Sequence, residues 1–406
     1  MDSHGAPLDR WVDIRGHSDA REQAIAAILQ ALVALPLDEA PAHISIYARA
    51  AIRLDGPAAE RILLARLERS LLARQSLEAE VDALGRMRSK TSLPFLLTAA
   101  GQPTLGSGDR KRIAWALGRL GDDRAVPVLT TWVRGDDYAL KEVALVALEM
   151  LDLPLAAIEL RPLLKTEAHL PFKLRIARLL ARHEFADGYT LATEHLADVS
   201  HTAEATLVLA ALHDARTAKD LTAIVATRPD RRWHAAALTG LAATGDAAAR
   251  KQLLAILADD RHPLVADAAE AAGLAGDADL LLPLVTLSQS RNKQLAMTSL
   301  VAIRRFYTDV RNSPRGLAAM DPDDSPPNVV TPAKTRAAIA AAVASLVVDT
   351  YVDPAVREEA FDIAKLLKGE GYAKLLAEVT DQAEWEGTPL LAAAALEKRR
   401  HRAIDN

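Results

Sequence analysis

Three arginines at helical spacing are the first side chains in this 406-residue sequence that could act together. Arg175, Arg178 and Arg182 are separated by three and then four residues, so they share one face if the segment is helical. Such a row of guanidinium groups can bind the carboxylates of an acidic partner segment. A row of this kind is also typical of the solvent side of an amphipathic helix, and both interpretations stay open.

A second group of cationic and aromatic side chains lies at Arg231, Arg232 and Trp233, followed by His234. Two guanidinium groups beside an indole could bind a phosphate or stack on a base. The alternative is that a helix begins at residues 229–230, that Trp233 packs between repeats and that the arginines face water. The candidate partner-binding residues are therefore Arg175, Arg178, Arg182, Arg231, Arg232 and Trp233.

Histidine and carboxylate side chains do not predict a catalytic centre. His183 and Glu184 form one His-Glu pair, too few ligands for a two-metal site, and we predict a helix-end histidine on a solvated surface. Asp122, Asp246 and Asp277 each follow a glycine at the turn of a repeat, which favours helix capping over catalysis. The sequence has no glycine-rich phosphate loop, zinc-protease motif, serine elbow or EF-hand loop. We predict no catalytic residues, no metal ligands and no cofactor, which argues against an enzyme.

A stretch of sequence that occurs twice, here called the repeated phrase, indicates which structural elements must position these side chains. Residues 83–97 read ALGRMRSKTSLPFLL and residues 116–130 read ALGRLGDDRAVPVLT. The two phrases align without a gap at an offset of 33 residues. A fixed period of this length indicates stacked structural repeats.

Each repeat is predicted to be a pair of helices. In residues 111–120 the apolar side chains Ile113, Ala116, Leu117 and Leu120 fall on one helical face. Gly121 can close that helix in the left-handed conformation, and Asp122 or Asp123 can cap the next helix. The second helix, residues 125–133, has Pro127 in its first turn, where the missing N–H costs little.

The repeated phrases resemble a known class of protein. The stretches ALGRLGDDRAVPVL and DPAVREEAFDIAKLLKGEGYAKLL (residues 353–376) are similar to HEAT-like repeats, of the short kind found in phycobilisome-lyase-type proteins. The resemblance covers roughly residues 75–305 and 333–380. It implies an all-α fold, a right-handed α-solenoid (a superhelix) of stacked antiparallel helix pairs. It implies little about activity, because such repeats serve scaffolds, adaptors, lyases and glycosylases.

The ends and one internal segment depart from the repeat pattern. Helices are predicted at residues 20–35, 43–53 and 58–72 without the Gly-Asp turn, as expected of a capping region. The predicted parts of the chain are an N-terminal extension (1–19), degenerate capping helices (20–74), a HEAT-like array (75–311), a Pro-rich acidic loop (312–332), C-terminal HEAT-like repeats (333–396) and a basic tail (397–406).

Composition restricts the classes of function. Hydrophobic residues make up 50%, charged residues 25% and aromatic residues 4% of the chain, a composition typical of packed helices. The net charge of −5 disfavours nucleic acid as a general partner. The chain has no cysteine, which fits a reducing compartment. The longest uncharged helical stretch, residues 337–348, is shorter than the roughly 20 residues of a membrane span, so we predict no membrane span. We also predict a cytoplasmic protein of bacterial type.

A stack of helix pairs presents an extended concave surface, which suits recognition through many contacts. The sequence therefore favours a non-catalytic scaffold or adaptor that binds a partner protein along the concave face. The alternatives are a cofactor-handling lyase or chaperone of the phycobilisome-lyase type and a HEAT-like DNA glycosylase.

Overall fold

The fold is helical throughout the part of the chain that the structure describes. This computed structural model describes residues 18–54, 56–227, 232–308, 333–349 and 351–367, together with residue 375. No strand occurs within these ranges. The chain divides into two compact units, Met1–Leu151 with Ala373–Asn406 and Asp152–Tyr372, which we call unit 1 and unit 2.

Unit 1 consists of helices joined mostly by short turns, so that sequential neighbours pack as pairs. Its described helices are α1 (Ser18–Ala34), α2 (Pro41–Leu54), α3 (Gly56–Leu72), α4 (Glu78–Arg86), α5 (Leu93–Ala100), α6 (Ser107–Leu120), α7 (Val126–Val133) and α8 (Tyr138–Leu151).

Unit 2 continues the same alternation. Its described helices are α9 (Pro154–Leu160), α10 (Leu163–Thr166), α11 (Leu170–Arg182), α12 (Tyr189–His195), α13 (Thr202–Leu212), α14 (Ala218–Thr227), α15 (Arg232–Ala243), α16 (Ala247–Leu257), α17 (Val265–Ala272), α18 (Leu281–Ser288), α19 (Lys293–Thr308), α20 (Ala333–Val348) and α21 (Pro354–Leu367).

The helices of each unit form two rows. Row A contains α2, α4, α6 and α8 in unit 1, and α11, α13, α15, α17, α19 and α21 in unit 2; the partner helices form row B. Successive helices pack extensively on one another in row A and only sparsely in row B. Row A is therefore the more extensively packed row within each unit. The predicted all-α solenoid of stacked helix pairs is confirmed.

The predicted apolar face of the clearest repeat forms core. Ile113 and Leu117 of α6 are fully buried, as are Leu129 and Val133 of α7. The free energy of burial comes from these aliphatic side chains, at about 0.8 kcal/mol per methylene group removed from water.

A left-handed residue follows row A helices in both units. Gly121, Gly245 and Gly276 have positive φ angles of 71°, 97° and 63°. Four residues that are not glycine stand at the matching turns, with φ between 48° and 66°; they are Arg88, Asp152, Glu184 and His213. The spacing of these turns along the chain follows the repeat period. The left-handed conformation reverses the chain and closes the helix end.

The next helix of the pair is capped by a short polar side chain. Asp122, Asp246 and Asp277 each accept a hydrogen bond from a backbone N–H two residues further along. In other repeats, Asp214 accepts a hydrogen bond from the N–H two residues further along and Ser89 from the N–H three residues further along. The predicted capping role of the aspartates is confirmed.

Small residues set the spacing between row A helices. A Cβ atom added to Gly118 of α6 would lie 2.8 Å from the Cα atom of Ala147 in α8. A Cβ atom added to Gly85 of α4 would lie 2.9 Å from the Cβ atom of Ala116 in α6. Gly85 and Gly118 are matching positions of the repeated phrase, so its glycine marks a close approach between successive row A helices.

Several predicted segments lie outside the described residues. These are most of the N-terminal extension, the Pro-rich acidic loop at 312–332, much of the 333–396 segment and the basic tail at 397–406. The predicted boundaries of the repeat array stay predictions.

Candidate interaction surface on row A

Three row A helices, α6, α8 and α11, can be aligned by the left-handed residues that follow them. Counting back six residues from the left-handed residues Gly121, Asp152 and Glu184 leads to Trp115, Val146 and Arg178 respectively. These three side chains therefore occupy matching positions on α6, α8 and α11. They point away from row B, because the opposite faces of their helices form the core.

In unit 1 this face carries exposed apolar side chains. Trp115 and Val146 are each 37% exposed, although large apolar side chains are usually covered. The guanidinium of Arg119, one turn further along α6, lies 4.5 Å from the centre of the Trp115 ring, in a cation–π contact. Arg112, one turn before Trp115, forms an ion pair with Glu78 of α4. We call Arg112, Trp115, Arg119 and Val146 the Trp115 patch.

Sequence reasoning missed the Trp115 patch. Trp115 stands directly before the repeated phrase, and it was not singled out among the candidate residues. The sequence nevertheless contains the information that residue 115 is exposed, because Ala116 and Leu117 belong to the buried face of the helix while residue 115 does not. An aligned pair of repeats therefore identifies the exposed position of α6 before any coordinates are known.

The three arginines that were predicted to share one face of α11 differ in solvent exposure. Arg175 and Arg178 are half-buried, and Arg182 is 7% exposed. Arg178 lies 3.5 Å from a carboxylate oxygen of Glu204 in α13. Arg182 forms a buried ion pair with Asp152. The row therefore runs from the surface into the interior of unit 2, where its last member neutralises a carboxylate.

His183 belongs to the same buried group, so the prediction of a solvated histidine is wrong. The residue is 8% exposed, and its Nε2 atom lies 3.3 Å from Oδ1 of Asp152. Burial alone would raise the pKa of the Asp152 carboxyl, but Arg182 and His183 outweigh this effect and hold the pKa at about 2. The helix end was identified correctly from the sequence, whereas its burial depends on tertiary packing.

The second predicted cluster is only partly described. Arg231 and the side chain of Arg232 lie outside the described residues. Trp233, in the first turn of α15, is 9% exposed. Its indole packs inside unit 2, as in the alternative interpretation, and is not presented for stacking on a base. Partner binding by the six predicted residues stays a prediction.

An open groove of about 950 Å³ is a further concave feature of unit 1. It lies between α3, α5 and the segment that precedes α6. Its apolar lining includes Leu72, which is 80% exposed, and the half-buried Phe95. Glu68 and Arg74 contribute charges of both signs to its lining.

The described residues contain neither a cluster of metal-ligating side chains nor a membrane-spanning helix. No group of three or more His, Asp or Glu side chains is placed there to hold a metal ion. None of the described helices is long and apolar enough to cross a membrane.

The comparison with protein families agrees with the repeat architecture. Residues 73–149 match the family model described as HEAT repeats, and this segment contains α4 to α7, most of α8 and both copies of the repeated phrase. The chain is thus similar to HEAT-repeat proteins in the region that carries the Trp115 patch. The match does not distinguish the phycobilisome-lyase kind. No curated protein matches the chain.

Proposed function

We propose that the protein is a scaffold or adaptor that binds a partner polypeptide along the exposed face of row A, with the Trp115 patch as an anchor. The observation that carries the proposal is the exposure of Trp115 and Val146 at matching positions of adjacent row A helices. HEAT-like repeats are an architecture suited to protein interaction, because stacking extends the same face from one repeat to the next.

The side chains of the patch favour a protein partner. Tryptophan and arginine are enriched among the residues that dominate binding energy at protein interfaces. Arg119 already lies over one face of the Trp115 ring, so a partner would cover the free edge of the indole and Val146. Covering this apolar surface would contribute about 25 cal/mol per Å² removed from water.

The partner we propose is an elongated segment, either a helix or an extended strand. Trp115 and Val146 lie on separate helices, so a ligand that contacts both must cross row A. Such contacts are spread over a shallow surface, in contrast to the enclosed pockets that hold small molecules. Arg175 and Arg178 would offer the corresponding face of α11 to carboxylates of a partner, while Arg182 and Trp233 stabilise unit 2 from inside.

The proposal can be tested by site-specific photo-crosslinking. A photoreactive phenylalanine analogue replaces Trp115 in one variant and Thr131 in another, and each is irradiated in lysate of the source cells. Thr131 is an exposed residue of α7 in row B and serves as the matched control. We expect a discrete protein adduct from position 115 and none of the same mass from position 131.

Two outcomes would contradict the proposal. One is the absence of any protein adduct at position 115 after irradiation in lysate of the source cells. The other is the same adduct pattern at positions 115 and 131, which would indicate labelling without a preferred face.

A further inference from the structure

The open groove of unit 1 lies beside row B helices, whereas the Trp115 patch lies on row A. Apolar side chains that water reaches line this groove between α3 and α5. Leu72, the last residue of α3, is 80% exposed, and Phe95 and Leu105 are half-buried. Large apolar side chains are usually covered in a folded chain, and an exposed apolar surface often marks a place where another segment binds.

Charged side chains that line the groove restrict what an occupant must carry. Glu68, one turn before Leu72 in α3, and Arg74, just after that helix, are both exposed. Neither side chain makes an ion pair with another residue of the described ranges. Asp109 adds a second carboxylate to the lining, and it accepts a hydrogen bond from the N–H of Leu77. A segment complementary to the groove therefore combines apolar side chains with both basic and acidic residues.

One segment of this chain has that composition and belongs to the same compact unit. Residues 390–400 read LLAAAALEKRR, which contains three leucines, Glu397 and three consecutive basic residues. This segment is part of Ala373–Asn406, which groups with unit 1. An extended chain from Leu375 to Leu390 spans up to about 50 Å. That length exceeds the roughly 40 Å that the four stacked helix pairs of unit 1 occupy at about 10 Å per pair, so the segment can reach the groove.

We propose that residues 390–400 of this chain bind in the groove between α3 and α5. Leu396 covers the exposed side chain of Leu72, and the basic residues 398–400 lie beside the carboxylate of Glu68. Apolar contact and attraction between opposite charges both favour this arrangement. The groove on row B is thus closed by the protein's own chain, and this inference stands independently of the proposed function, which concerns row A.

The absence of cysteine from the chain permits a direct distance measurement in the intact protein. Cysteine replaces Thr98, an exposed residue that lines the groove, and Ala395 of the segment, and both cysteines carry nitroxide spin labels. Pulsed electron paramagnetic resonance then gives the distribution of distances between the two labels. An excess of unlabelled protein ensures that only labels within one chain contribute. We expect a single narrow peak at short distance.

The decisive variant is Glu68→Arg in the doubly labelled protein, because it places a like charge beside the basic residues of the segment. We expect the short-distance peak to be lost and replaced by a broad distribution. Exchanging the charges by adding Lys398→Glu, Arg399→Glu and Arg400→Glu should restore the peak. Asp136→Arg is the matched control, since Asp136 is an exposed carboxylate of unit 1 that does not line the groove, and its distribution should equal that of the parent.

A second variant tests the apolar contact and leaves the groove itself unaltered. Leu396→Ser changes only the segment, so we expect parental helicity by circular dichroism together with loss of the short-distance peak. Persistence of that peak in folded Glu68→Arg or Leu396→Ser protein would overturn the proposal. A peak that is present without unlabelled protein and vanishes on its addition would also overturn it, because the groove would then hold the segment of a second copy.

Discussion

Asp152 has two roles in unit 2: its backbone closes a turn, and its carboxylate pairs with a buried arginine. Its φ angle of 51° closes a turn where three of the matching repeats have glycine, and aspartate is among the few other residues that tolerate this conformation. Its carboxylate neutralises Arg182 inside the unit. A glycine at this position would satisfy the turn and leave the guanidinium unpaired, which explains why the repeat departs from the Gly-Asp pattern here.

The stability that Asp152 contributes should depend on pH in a defined direction. The pKa of this carboxyl is lowered to about 2, so the charged form stabilises the folded state above the pKa of the unfolded chain, about 3.9. That contribution is lost as the pH falls through the range from about 4 to about 2. It is on the order of 2 kcal/mol at neutral pH.

The variant Asp152→Asn isolates this effect from the other carboxylates that titrate in the same range. The groups that lower the pKa of the Asp152 carboxyl are Arg182, His183 and, least of the three, Arg305. Urea denaturation of wild type and variant between pH 2 and pH 7 should show a stability difference that is largest above pH 5 and shrinks toward pH 2. A difference that does not change over this range would contradict the assigned pKa.

At the scale of the helix, the glycine of the repeated phrase allows α6 and α8 to approach. We expect Gly118→Ala to destabilise the protein by about 1–3 kcal/mol, because the added methyl group would overlap the backbone of Ala147. Gly108 lies in the first turn of the same helix and has nothing within 4 Å of an added Cβ atom. Gly108→Ala should therefore be neutral or stabilising, since alanine is the better helix former. Denaturation midpoints of both variants measure the difference, and equal effects would argue against a close helix contact at Gly118.

A second expectation at the scale of the helix concerns the side chain that caps α16. The side chain of Asp246 accepts hydrogen bonds from the N–H groups of Ala248 and Ala249 at the start of α16. We expect Asp246→Ala to lower the free energy of unfolding by about 1 kcal/mol. Asp260→Ala, at an exposed turn, is the control and should change it by less than about 0.5 kcal/mol. If the two variants are equally stable, the cap does not contribute as proposed.

The sequence predicted the elements of the clearest repeat because local signals agree there. Glycine and aspartate mark the turn after α6, Pro127 marks the start of α7, and the apolar period marks the buried faces. The turns at Arg88 and Glu184 carry no such signal, because neither residue is a usual left-handed residue. At these turns the fold is maintained by packing on both neighbours, and only the coordinates reveal it.

The candidate sites were harder to predict than the elements. The spacing of Arg175, Arg178 and Arg182 correctly placed them on one face, yet periodicity alone could not show that the face enters the interior at Arg182. For Trp115 the sequence suggests burial, whereas the structure shows exposure. A tryptophan between apolar residues of an amphipathic helix is usually buried, and only alignment with the neighbouring repeat shows that position 115 faces outward.

At the scale of the molecule, the two units use the same repeat in different ways. In unit 1, row A exposes the apolar side chains Trp115 and Val146. In unit 2, the matching position of α11 is occupied by Arg178, which pairs with Glu204, and Arg182 further along the helix pairs with the buried Asp152. One architecture therefore carries exposed apolar side chains on row A in one unit and a buried ion pair beside row A in the other.

The most direct test of the account is the affinity of the partner captured at position 115 for defined variants. Isothermal titration calorimetry compares wild type, Trp115→Ala and the row B control Thr131→Ala, each checked for unchanged helicity by circular dichroism. Truncation of an anchoring tryptophan usually costs 2 kcal/mol or more, so we expect Trp115→Ala to weaken binding by about 30-fold or more, while Thr131→Ala binds like wild type. Wild-type affinity in a folded Trp115→Ala protein would contradict the assignment of row A as the interaction surface.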